Sequence, residues 1–131
     1  MKHNYCRTLY YKAWIEDDIF HIVYNINVIT LQIAKQALET RKQLCDGIDY
    51  PMFADIRSIK ATDTEASRFM SSAESTQYLR AGALLVNNQV QKVSGNFFIM
   101  VNKPPVPAKL FTSEVDAFAW LQQFKNMRST G

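Results

Sequence analysis

The sequence lacks the residues and patterns that usually mark an enzyme or a metal site. Its two cysteines, Cys6 and Cys45, lie far apart and form no CxxC pair, which argues against a disulfide framework and a zinc knuckle. No GxGxxG, Walker or GxSxG motif occurs. We therefore predict no catalytic residue, no metal and no cofactor.

Long hydrophobic runs are also absent. The longest, residues 81–86 and 97–101, are far shorter than the ~20 residues that cross a bilayer, and the first residues lack the apolar stretch of a signal peptide. The net charge of +3 is too small for the dense basic face of most nucleic-acid-binding domains. We therefore expect a cytoplasmic protein with no membrane and no nucleic-acid partner.

The composition is that of an ordinary globular protein. The chain has 131 residues, of which 47% are hydrophobic and 21% are charged. This length corresponds to one domain. We expect a single domain over residues 1–131, with frayed ends at about residues 1–7 and 126–131.

Two alternating patterns open the chain. Hydrophobic and polar residues alternate from Leu9 to Ile15 and again from Ile19 to Val28, and an acidic stretch, Glu16–Asp18, separates them. A period of two is typical of β-strands. We predict an antiparallel hairpin with an acidic turn.

Strand and helix patterns alternate in the rest of the chain. Thr30 and Ser113 are candidate N-caps, and Thr62–Glu65 has the spacing of a capping box. Residues 97–101 are also compatible with a strand. The expected strands are Pro51–Ile56, Ala81–Val86 and Lys109–Phe111, and the expected helices lie between Thr30 and Gly47, after Glu65, over Gln89–Val101 and after Ser113. This order, ββαβαβαβα, predicts an α/β fold with a mostly parallel five-stranded sheet.

Polar residues collect where the predicted parallel strands end. Ligands often bind at this carboxyl edge of a sheet, and several helices begin there, so a small anionic ligand such as a nucleotide is one hypothesis. The alternative is that these residues only cap helices and hold loops. The candidate ligand-binding residues are Arg57, Ser58, Lys60, Asp63, Asn87 and Asn88.

Catalytic pairs are weakly supported. His3 lies in the expected frayed start, and His21 lies on the strand face opposite Phe20, where we expect it to be half-exposed. Asp55 and Asp63 could form a carboxylate pair, but a local ion pair between Asp55 and Arg57 is the simpler expectation.

The predicted helix over residues 89–101 has an unusual outer side. No acidic residue occurs from Ser75 to Ser113, and Ile99 falls opposite the inward apolar positions of the helix. This pattern favours a protein partner or a second copy of the chain, that is, a homodimer; burial within the monomer is the alternative. The interface candidates are Gly95, Phe98, Ile99 and Asn102.

Three stretches carry a resemblance to a known family. The chain resembles STAS-like domains, the α/β modules of anti-sigma factor antagonists, and within them a branch of small bacterial proteins. The residues that carry this resemblance are Trp14–Tyr24, Tyr50–Ala66 and Gly95–Leu121. The resemblance implies a non-enzymatic role as a regulatory or protein-interaction module. Some domains of this type are thought to bind nucleotides or other small ligands.

The resemblance also implies a phosphorylation site. In the antagonists, the phosphorylated Ser or Thr follows an Asp at the start of the helix after the central strand, and Thr64 after Asp63 matches that position. The match ends there, because Glu65 and Ala66 replace a second hydroxyl residue and a glycine. Acidic neighbours would repel a phosphate. The alternative is that Thr62 and Asp63 only cap the helix.

The resemblance, together with the absence of catalytic motifs from the sequence, predicts a non-enzymatic regulatory or protein-interaction module. The alternative is a small-ligand sensor at the carboxyl edge, with Arg57, Lys60 and the helix start at Asp63 as contacts. A hydrolase or transferase is a remote third option.

Overall fold

The computed structural model describes residues 5–88, 91 and 105–125. Asp17 and Asp18, with φ angles of 55° and 58°, form the tight turn of the first hairpin, as the acidic stretch predicts. In chain order the elements are β1 (Tyr5–Arg7), β2 (Tyr11–Glu16), β3 (Ile19–Tyr24), β4 (Val28–Ile29), α1 (Leu31–Cys45), β5 (Tyr50–Asp55), β6 (Ala61–Thr62), α2 (Thr64–Met70), β7 (Leu79–Leu85), β8 (Ala108–Phe111) and α3 (Glu114–Lys125).

The start of the chain differs from the prediction. Tyr5–Arg7, which we expected to fray, pairs with β2 as an antiparallel edge strand. Leu9, which we placed in the first strand, lies in a turn and is 84% exposed. The reason is local, because Thr8 Oγ1 accepts hydrogen bonds from the backbone N–H groups of Tyr10 and Tyr11 and holds the turn.

The second predicted strand is shorter than its pattern indicates. β3 ends at Tyr24, whereas the alternation continues to Val28. The Ser58 hydroxyl lies 2.9 Å from the carbonyl oxygens of both Tyr24 and Ile26, so the chain leaves the sheet there. It then forms β4, which pairs with β6 in a separate two-stranded parallel ladder.

The main sheet confirms the α/β prediction. Its six strands follow the order β1-β2-β3-β5-β7-β8, one strand more than the five we expected, because β1 is added at the edge. β1, β2 and β3 are antiparallel, and β3, β5, β7 and β8 are parallel. The carboxyl ends of the parallel strands therefore meet at one edge.

Helices cover both faces of the sheet. On one face, Phe20 and Ile22 of β3 pack with Ala37 of α1. On the opposite face, Phe53 of β5 packs with Leu121 of α3. Because adjacent strand residues point to opposite faces, these two clusters form separate layers. We name the two sides of the sheet the α1 face and the α3 face.

The predicted caps of α1 and α3 are confirmed, whereas α2 is capped by Asp63 and not by Thr62, the first residue of the capping-box spacing. Thr30, Asp63 and Ser113 are the residues before α1, α2 and α3, and each side-chain oxygen accepts a backbone N–H bond in the first turn. The donors are Ile33, Ala66 and Asp116. The helix predicted over Gln89–Val101 lies outside the described residues, apart from Gln91.

Candidate functional site

The carboxyl edge holds a tight ion pair. Arg57 Nε donates to Asp55 Oδ1 at 3.0 Å, and Nη2 donates to Oδ2 at 2.8 Å, which confirms the predicted local pair. Glu114 Oε2 lies 4.0 Å from the same Nη2. The hydrogen bond that Arg57 donates to Asp55 is the main cause that raises the pKa of Arg57. An incoming anion would therefore compete with two carboxylates for this guanidinium.

The neighbouring polar side chains hold loops together. Ser58 bonds the end of β3, as described above. Asn87 Nδ2 donates to the Arg57 carbonyl oxygen at 2.8 Å. Asn88 Oδ1 accepts from the Gln91 N–H at 2.9 Å. The structure thus brings Arg57, Ser58 and Asn87 together, but through bonds that shape the edge itself.

The start of α2 has a structural role in the same region. Asp63 Oδ1 accepts from the Ala66 N–H at 2.7 Å, so this carboxylate caps the helix, while the Asp55 carboxylate binds Arg57. Thr64 and Lys60 are exposed. Phosphorylation of Thr64 stays a prediction, between the carboxylates of Asp63 and Glu65.

His21 is buried, contrary to the half-exposed position we predicted. It is 8% exposed because Trp14 stacks on it at 4.9 Å and Phe118 of α3 covers it at 5.6 Å. Cys6 lies opposite Ala13, and Cys45 packs with Ala13, so both thiols belong to the α1 face. His21 lies on the other face, and the sheet separates it from both thiols.

We expect the burial of His21 to make stability depend on pH. Burial is the main cause that lowers its pKa below the ordinary value of 6.5. The folded protein therefore binds this proton less readily than the unfolded chain. The contribution of neutral His21 to the free energy of unfolding is fully present above pH 6.5. It is lost as the pH falls from 6.5 toward the lower pKa that His21 has in the folded protein. Urea denaturation from about pH 7.5 to about pH 5.5 should show falling stability.

The matched variants are His21→Phe and His3→Gln, which alter the only two histidines. We expect the histidine-dependent change of the free energy of unfolding with pH to disappear in His21→Phe and to persist in His3→Gln. An unchanged slope in His21→Phe would contradict the assignment.

A row of aromatic rings crosses the α3 face from the β1 edge to α3. We call Tyr5, Trp14, His21 and Phe118 the aromatic row. Tyr5 lies 6.4 Å from Trp14, which stacks on His21. Tyr5 is 39% exposed and Trp14 is half-buried, so the outer end of the row faces solvent. The predicted interface residues Gly95, Phe98, Ile99 and Asn102 lie outside the described residues.

A cavity lies on the α1 face, between the sheet and α1. Its volume is about 190 Å³, and its walls are mainly apolar. Its wall includes Ile22, Leu38, Met52, Gly82 and Leu84, together with the charged Arg41.

Arg41 is the feature of this region that the sequence reading missed. It is 5% exposed and lies on the buried side of α1 with Ala34, Ala37, Leu38 and Cys45. These positions have the helical spacing of a core-facing stripe. A single arginine within that stripe was the available signal.

The part of the chain that the structure describes carries neither a cluster of metal-ligating side chains nor a membrane-spanning helix. Among residues 5–88, 91 and 105–125, no three His, Cys, Asp or Glu side chains are grouped so that they could hold a metal ion. No helix in this part of the chain has the length and apolar character needed to span a membrane.

Comparisons with known proteins agree with the fold. The chain is similar to a crystal structure from Shewanella loihica PV-4, an uncharacterised DUF3478-family protein with a SpoIIAA-like fold, at a TM-score of 0.62 and 16% identity, covering 88% of this chain and 98% of that one. This likeness confirms the STAS-like fold predicted from the sequence.

A protein of unknown function from Arthrobacter sp. FB24 is 30% identical, with a TM-score of 0.31, covering 82% of this chain and 95% of that one. No curated protein matches the chain. Residues 13–125 match the family described as domain of unknown function DUF7793. Since this match spans most of the sequence, the chain belongs to the DUF7793 family.

Proposed function

We propose that the chain is a non-enzymatic, cytoplasmic protein-interaction module with a regulatory role. Its STAS-like fold supports this proposal, because domains of that type act through contacts with partners. The polar groups at the carboxyl edge also support it, since Asp55, Arg57, Ser58, Asp63 and Asn87 are engaged in bonds within the fold.

The aromatic row is the observation that carries the proposal. Protein interfaces are enriched in Tyr, Trp and Phe. Trp14 presents a large ring beside the part-exposed Tyr5, and the Lys12 ammonium lies 5.8 Å from the Trp14 ring. Trp and Tyr are also among the residues that most often dominate the binding energy of protein interfaces.

The partner that we propose is a second copy of the chain. A twofold dimer brings the same patch of both subunits together, so one aromatic surface is sufficient. Aromatic rings also pack favourably on other aromatic rings, in offset-stacked or edge-to-face arrangements. In this arrangement Trp14 of each subunit lies near the centre of the interface.

Sedimentation equilibrium over a wide range of concentration tests this proposal. We expect the wild type to form a dimer, and Trp14→Ala to weaken it by about 2 kcal/mol or more, which is about thirtyfold in dissociation constant. Val115→Ala is the matched control, because Val115 is 77% exposed on α3 and lies outside the aromatic row. Circular dichroism verifies that both variants are folded.

A wild type that stays monomeric, or a Trp14→Ala variant that dimerises equally well, would contradict the proposal. Ile99→Glu in the same series tests the surface predicted from the sequence. The anion sensor has less support, because Arg57 is already paired with Asp55.

A further inference from the structure

The cavity on the α1 face has the character of a ligand site rather than a packing defect. Its volume of about 190 Å³ is larger than a void left by one missing side chain, and strands β3, β5 and β7 contribute its apolar wall. Packed protein interiors contain few voids larger than a water molecule. An apolar cavity of this size, partly open to solvent, can hold a small apolar group.

Arg41 is the only Lys, Arg, Asp or Glu side chain among the described residues that line this cavity. Its guanidinium donates to the carbonyl oxygens of Ser75 and Gln77. A guanidinium has five N–H donors, so these two bonds leave further donor capacity. Burial lowers the pKa of Arg41.

No acidic side chain neutralises Arg41. All twelve Asp and Glu residues of the chain lie within the described residues, and none of the ion pairs found there includes Arg41. The titratable groups that act on it are the Cys45 thiol and the Tyr24 phenol. A buried cation without a counter-ion is costly, because it loses hydration without gaining an opposite charge.

We propose that the cavity binds a carboxylate with an unbranched apolar chain of medium length. Arg41 binds the carboxylate through N–H groups that the Ser75 and Gln77 carbonyl oxygens do not use, and the chain lies against Ile22, Leu84 and the other apolar wall residues. At about 10–15 Å³ for each water-sized group, a volume of about 190 Å³ holds roughly 13–19 non-hydrogen atoms. Decanoate, with twelve non-hydrogen atoms, fits within this volume. This site is separate from the aromatic row, which lies on the other face of the sheet.

Isothermal titration calorimetry with decanoate and decanol tests the proposal. The two probes share the apolar chain, and only decanoate has the charge. We expect the wild type to bind decanoate about ten- to a hundredfold more tightly than decanol, as a charged hydrogen-bonded pair provides. No binding of decanoate, or equal binding of the two probes, would overturn the proposal.

Two variants separate the head from the chain. In Arg41→Gln we expect the preference for decanoate over decanol to disappear, and the ratio remains meaningful even where this variant is less stable. In Gly82→Val, the added side chain enters the cavity, and its first carbon meets only Met52 Cε at 3.7 Å, an ordinary contact. We expect both probes to bind at least about tenfold more weakly to this variant.

Ala119→Val is the matched control, because Ala119 is exposed on α3 and this variant places the same valine side chain outside the cavity. We expect it to bind both probes as the wild type does. If Gly82→Val folds and binds decanoate unchanged, the probe binds elsewhere and the proposal fails.

Discussion

Leu121→Ala is expected to lower the free energy of unfolding by about 2–5 kcal/mol. Leu121 is fully buried between α3 and the sheet, where it packs in one cluster with Phe53 and Leu85. Truncation removes apolar contacts and leaves a void. The sheet cannot move to close this void, because its backbone hydrogen bonds fix the strands in place. Since small domains are stable by about 5–15 kcal/mol, this loss is a large part of the total.

Val115→Ala provides the comparison for Leu121→Ala. Val115 lies on the same helix but is 77% exposed, so its truncation should change stability by no more than about 0.5 kcal/mol. Urea denaturation followed by circular dichroism measures both variants. Similar losses in the two variants would show that α3 does not pack on the sheet as described.

Phe20→Ala is expected to destabilise the other layer by about 3–5 kcal/mol. Phe20 is 1% exposed and packs on the α1 face with Tyr11, Ile22 and Ala37. It also borders the cavity, so the removed ring enlarges a void that already exists. The surrounding side chains therefore recover few of the lost contacts.

Val23→Ala on the same strand is the control for Phe20→Ala. Val23 is half-buried and points to the opposite face, so a loss of about 1 kcal/mol is expected. The same denaturation experiment applies. A Phe20→Ala variant no less stable than Val23→Ala would contradict the assignment of Phe20 to a packed core.

The fold was predictable from the sequence where a local structure is determined by the residues within it. The alternation in β2 and β3 follows from a sheet with two distinct faces, and the turn at Asp17 and Asp18 follows from their tolerance of positive φ. Thr30 and Asp63 were identifiable as caps because the first N–H groups of a helix need acceptors. Such signals lie within a few residues of the structure that they determine.

Local sequence patterns do not predict the features that distant residues decide. Ser58 ends β3 through carbonyl oxygens more than thirty positions earlier in the chain, and no local pattern contains that bond. His21 is buried because Phe118 covers it, which depends on where α3 packs. Arg41 becomes a cavity residue only when α1 lies against the sheet. At the carboxyl edge, the Asp55–Arg57 pair was predictable because it is local, but the bond from Asn87 to the Arg57 carbonyl oxygen, thirty positions away, was not.

The two edge strands of the main sheet restrict how the protein can associate with another chain. β1 has three residues and β8 has four, and Pro105 and Pro107 come directly before β8. Short terminal strands and nearby prolines discourage the addition of a strand from outside, the route by which many sheets aggregate or capture extended peptides. Association should therefore occur through side-chain surfaces, which leaves the backbone pairing within each subunit unchanged.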